Sequence, residues 1–166
     1  MRNNIQRLLL ATAFILFALT NVKAIEPQQM GKHAFKILKN FSKWDTQTYL
    51  KQIMSLEEIH QLAKNNQLVK EESARNKILS ITQNKWHDEV IDDFMEVRKE
   101  AASKGIEWRK IKYLDFIYSI EEDAGITMCK GELFFKYQER AFSIEVMYIL
   151  AEDGYRLVQI DDFDDN

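Results

Sequence analysis

A change of period at Gly105 constrains this chain more than any other feature. Before it, apolar residues recur at helical spacings of three and four; after it they alternate with a period of two. Helices followed by strands make an α+β fold, with N-terminal helices packed on one face of a curved four-stranded antiparallel meander.

The helical half is well punctuated. Pro27 sits where a first helical turn tolerates proline, and Met30, Ala34, Phe35, Ile37, Leu38 and Phe41 fall on one broad stripe, predicting a helix that ends near residues 40–42. Asp45 can cap the next turn, and Ser55 with Glu58 three residues on has the form of a capping box. Tyr49, Leu50 and Ile53 offer apolar contacts between those two starts, and Leu56, Ile59, Leu62 and Ala63 repeat after the second. Residues 68–104 contain neither proline nor glycine, and Leu79, Trp86, Val90, Phe94, Val97 and Ala101 form the strongest helical stripe, with an interruption expected at Thr82-Gln83-Asn84. Gly105 supplies the stop.

Four strands are expected at 108–120, 126–137, 141–150 and 155–161, each rich in aromatic and branched residues and joined by short turns. Leu114, Phe116, Tyr118 and Ile120 share one face, with Cys129, Leu133, Phe135 and Tyr137 and with Phe142, Ile144, Val146, Tyr148 and Leu150; that face meets the helices. The opposite face mixes charge with Ile117, Phe134, Met147 and Ile149. So many large apolar residues imply either cover from the chain's own loops and termini or a contact surface for a second copy or another protein.

Residues 1–24 read as a secretory signal. Arg2 and Arg7 precede an apolar run at 8–19, followed by a polar stretch ending in Val22-Lys23-Ala24, and the run is too short to span a bilayer. The expected mature chain is a single domain, residues 25–166, with no stable membrane anchor and a periplasmic or secreted location. Its charge is acidic, since 26 Asp+Glu face 23 Lys+Arg and Arg2, Arg7 and Lys23 belong to the signal. That balance argues against nucleic acid as a partner. Cys129 stands alone, so no intramolecular disulfide can form, and its apolar neighbours favour a buried thiol over a nucleophile.

Helices, then a meander, behind an export signal resemble the small exported domains of the nuclear-transport-factor-2-like and cystatin-like group. The local likeness lies at 35–65, where a first helix passes through Lys43-Trp44-Asp45 into capped helices ending in Glu58-Ile59-His60-Gln61-Leu62. The chain departs from that group in lacking a clear short hairpin at 68–77. The resemblance implies a cavity between sheet and helices, used by some members for acid–base chemistry, by others for ligand binding and by others only for association. Tyr118, Tyr137 and Tyr148 are the candidate cavity-lining residues, and no catalytic residue is assigned.

Other constellations carry weaker chemistry. Glu57 and His60 have the Glu-x-x-His spacing of di-iron bundles but only one copy of it. His87, Asp88, Glu89, Asp92 and Asp93 crowd two turns and read as a solvated face; His33 is isolated. The acidic tail at 161–166 lacks the spacing of a calcium loop and reads as a frayed end. Trp44, Trp86 and Trp108 read as core rather than as a stacking platform. No metal site or cofactor is expected. The leading expectation is a noncatalytic binding or protein-interaction domain, with a homodimer, a protein partner or a small apolar ligand in view. The alternative is a cofactor-free isomerase, dehydratase or cyclase acting on a small apolar substrate.

Overall fold

The computed structural model describes residues 25–165, so the signal reading lies outside the described residues. These form helices α1 (Pro27–Leu38), α2 (Thr46–Leu50), α3 (Leu56–Lys64), α4 (Glu72–Leu79) and α5 (Gln83–Ser103), a 3₁₀ turn at Trp108–Lys110, and strands β1 (Lys112–Asp123), β2 (Ile126–Tyr137), β3 (Arg140–Ala151) and β4 (Gly154–Asp165). The sheet is an antiparallel meander in the order β1-β2-β3-β4, with helices packed against it; the class is α+β. Among the described residues no helix is long and apolar enough to cross a membrane.

Local chemistry sets the boundaries. Asp45 accepts from the Thr48 amide, Thr82 from the Lys85 amide, and Ser55 and Glu58 complete a reciprocal capping box. The long apolar pattern after Leu68 breaks into α4 and α5, because Thr82 takes the cap and forces a new start at Gln83. Gly105 ends α5 at φ 70°, and Ala124 and Gly125 at φ 49° and 78° make the two-residue β1–β2 turn.

The main core fills the face of the sheet that α1 and α5 cover. Phe41, Tyr49 and Phe94 form a ring cluster, with Tyr49 stacked on Phe94 at 4.3 Å between centroids. Trp108 joins it to Phe135 and Phe163. Each fully buried ring contributes roughly 2–3 kcal/mol of burial and the pairs a further ~1 kcal/mol. Rings fill the space between α5 and the sheet at this end.

A second, smaller core lies on the opposite face. Met54, Leu62, Val69 and Ala74, from α3, α4 and the segments beside them, pack on Ile126, Ile149, Ala151 and Val158. The chain leaves the main-core side past the edge of β4, where the Met54 amide donates to Leu157 O at 2.8 Å. It crosses the hairpin ends, where Asn65 bonds Glu152 and the Lys70 amide donates to Gly125 O, and it returns at Ile81. Arg75 holds this excursion by donating to the carbonyls of Val69 and Lys70.

Three local expectations need correction. The first strand begins at Lys112, not Trp108, because Trp108 turns inward and is only 4% exposed. Leu114 does not share the inner face: the register shifts between Tyr113 and Asp115, and the extra residue leaves Leu114 48% exposed. The acidic tail is not frayed through Asp165, since β4 runs to that residue and Lys104 and Arg140 both bind its carboxylate.

Two glycines act by their lack of a side chain. Phe116 lies between Gly31 of α1 and Gly131 of β2; a Cβ on Gly31 would come within 2.7 Å of Phe116 Cγ, and one on Gly131 within 2.5 Å of Phe116 Cε2. The ring seats β1 against α1 through this slot.

Candidate functional site

Three places gather groups with chemical or binding capacity: a buried histidine–tyrosine contact, an acidic cleft beside β4, and the open edge of β1.

The Tyr148 hydroxyl donates to Met30 O at 3.0 Å and stands 3.0 Å from His33 Nδ1. Its one proton is committed to the carbonyl, so the imidazole donates Nδ1–H to the hydroxyl oxygen and carries its lone pair on Nε2. Burial, with Lys36 nearby, pulls His33 down to about 4, and burial pushes the Tyr148 phenol up. Both groups are therefore neutral near pH 7. Cys129, which pairs with Tyr148 across β2 and β3, is fully buried, and burial raises its thiol to about 11. It stays a protonated small hydrophobe.

The remaining tyrosines go elsewhere. Tyr137 is buried and donates to Glu107 Oε1 at 3.1 Å; the hydrogen bond from Lys110, then that from Tyr137, holds the Glu107 carboxyl below its ordinary value. Tyr118 is 40% exposed and stacks on Phe116. All three tyrosines are on the helix-facing side of the sheet, but each has its own surroundings. Sequence pattern gave no signal for the His33 contact, whose partner lies 115 residues away.

The acidic cleft, about 310 Å³, lies between α5 and the end of β4. Gln159 Nε2 donates to Asp93 at 3.2 Å and to Asp161 at 2.5 Å. Burial first, then Asp162, Asp93 and Glu145, raises Asp161 to about 7, and burial raises Asp93 as well. Oxygens of Glu145, Asp161 and Asp162 lie within 4.8 Å of one another, close enough to hold one cation, as exposed acidic groups often do without one. Asp93 comes from the acidic run of α5 and Asp161 from the acidic tail; only the fold brings them together. Asp88 and Asp92 stay exposed, with Lys85–Glu89 paired beside them. Glu57 is exposed too, and His60 Nε2 is buried without a hydrogen-bond partner.

The third place is the strand edge. Phe134, Met147 and Ile149 are half-buried, Ile149 beneath the α3–α4 excursion, while Ile117 is 61% exposed. Around Ile117 the exposed apolar side chains of Leu114, Tyr118 and Ile120 follow along β1. A groove of about 390 Å³ beside them is lined by Ile117, Tyr118, Lys130, Glu132, Glu145 and Met147 among others. The four interaction-face candidates are therefore not equivalent. Sequence alternation placed them on one face but carried no sign of which would be covered.

No protein-family model, curated protein or solved structure matches this chain.

Proposed function

We propose that this chain is an exported, noncatalytic protein-interaction domain that docks its partner along the open edge of β1. One observation carries the reading. β1 is a twelve-residue edge strand on which only Tyr113 and Phe116 are partly covered, and it exposes Leu114, Ile117, Tyr118 and Ile120. A long apolar edge with free backbone groups is a template for a further strand. The test is a photo-crosslinking residue at Ile117 in cells that make the chain, with Met95, an apolar residue of α5 that is also exposed by half, as control. A polypeptide adduct at 117 and none at 95 is expected. No adduct at 117 overturns the reading.

The His33–Tyr148 contact favours a second reading, the cofactor-free isomerase, dehydratase or cyclase, because acid–base work needs such a pair. The committed hydroxyl proton and the weak basicity of His33, lowered to about 4 by burial, weigh against it. Under that reading Tyr148→Phe abolishes turnover of a substrate found by screening while the chain stays folded; unchanged turnover removes Tyr148 from any mechanism.

A further inference from the structure

We infer that β1 pairs antiparallel with β1 of a second copy about a two-fold axis near Ile117, joining the two sheets into one. This rests on the docking reading above and names its partner.

The backbone is set up for it. The two-residue turn closes on Asp123 and Ile126, a hydrogen-bonded pair, so counting back from it Glu122, Ile120, Tyr118 and Phe116 turn their N–H and C=O groups away from β2. The Phe116 amide agrees in direction, since it turns from β2 to its neighbour Asp115's carboxylate at 2.8 Å, an exposed contact that it would exchange for the Tyr118 carbonyl of the second copy. Among the described residues no other segment pairs with β1 on that side.

Charge selects the partner and its direction. Arg109 and Lys110 stand in the turn just before β1 and Lys112 is its first residue, while Glu121, Glu122 and Asp123 are its last three. Antiparallel self-pairing sets the basic end of each copy beside the acidic end of the other, whereas parallel pairing aligns like with like. A two-fold interface needs such self-complementarity. The existing partners of these groups, Glu107 for Lys110, Lys130 for Glu121 and Lys70 for Glu122, are exposed surface pairs that cost little to share. With the axis at Ile117, that residue meets its own copy on the face opposite the main core. On the helix-facing side Phe116 comes opposite Tyr118, extending a ring stack already present in each chain.

Sedimentation equilibrium of the purified protein over a dilution series reads this directly. A reversible dimer is expected, and Ile117→Lys should weaken it by roughly tenfold or more, with an unchanged circular dichroism spectrum. Lys112→Glu should weaken it by about threefold, and adding Glu121→Lys should restore it, a recovery that damage to the fold does not produce. Hydrogen exchange on the unaltered chain gives a readout without substitutions: the amides of Tyr118 and Ile120 should slow as concentration rises. A monomer at every concentration overturns the inference, as does a dimer indifferent to both substitutions. If the purified chain is monomeric while the Ile117 adduct holds a different protein, self-pairing falls and the docking reading stands. Without adduct or dimer, both fall.

Discussion

The two edges of the sheet are made of strands of equal length and treated in opposite ways. On β4, Ile25 exchanges backbone hydrogen bonds with Tyr155, the Met54 amide takes Leu157 O, and Asp93 of α5 reaches Gln159; Tyr155, Leu157, Ile160 and Phe163 are buried. On β1, two rings tie the strand to the helices, Tyr113 edge-on against Phe35 and Phe116 in its slot between two glycines, and the rest faces solvent. A protein that spends three separate segments sealing one edge has the means to seal the other. Leaving β1 open while lining it with isoleucine, leucine and tyrosine is the feature that points outward.

The contrast can be broken from the covered side first. Phe94→Ala removes the ring that Phe41 and Tyr49 share and should cost about 3–5 kcal/mol in urea unfolding. A loss near 1 kcal/mol would mean that the α5 side is not the rigid half. Gly31→Ala should come next, at roughly 2–3 kcal/mol, because the crowded atoms are the root of the Phe116 side chain and cannot swing away. Hydrogen exchange should locate the damage in β1. Smaller still, Ser55→Ala should cost about 1 kcal/mol by removing the capping box that starts the α3 excursion.

Titration sharpens the same comparison. His33 has its pKa lowered to about 4 in the folded chain, so it contributes stability above its ordinary value of 6.5 that is lost as pH falls from 6.5 toward 4. Asp161 has its pKa raised to about 7, so its penalty is absent at low pH and grows as pH rises from 4 through 7. Between pH 4 and 6.5 the two oppose each other. In Asp161→Asn the alkaline-side loss should disappear and the melting temperature at pH 8 should rise by a few degrees. An unchanged pH profile would show that hydrogen bonds from Gln159 and solvent already stabilise the charged carboxylates beside β4.

Much of this was readable in advance because it depends on local chemistry. The Ser55–Glu58 box, the Asp45 cap, the Gly105 stop and the alternation of Phe142 to Tyr148 each act over a few residues. What escaped depends on the third dimension. The bulge that turned Leu114 outward leaves no mark in an alternating pattern, and Trp108 looks like a strand residue until the ring cluster claims it. Gly31 sits in a helix where a glycine reads only as a weak residue; its purpose is the space it leaves for Phe116. Of the apolar outer-face residues, Ile149 and Ile117 look alike in sequence, and only the path of α3 and α4 separates them.

The Phe116 slot has a consequence for how the chain is made. Its two walls lie on either side of it in the sequence, Gly31 long before and Gly131 shortly after. As the polypeptide emerges N-terminus first, α1 and β1 come out with half a socket, and the slot is complete only once β2 has followed and folded back. Until then the strand lacks one wall of its slot, so the stretch that carries the exposed apolar edge in the finished protein is also the one most prone to join chains too early.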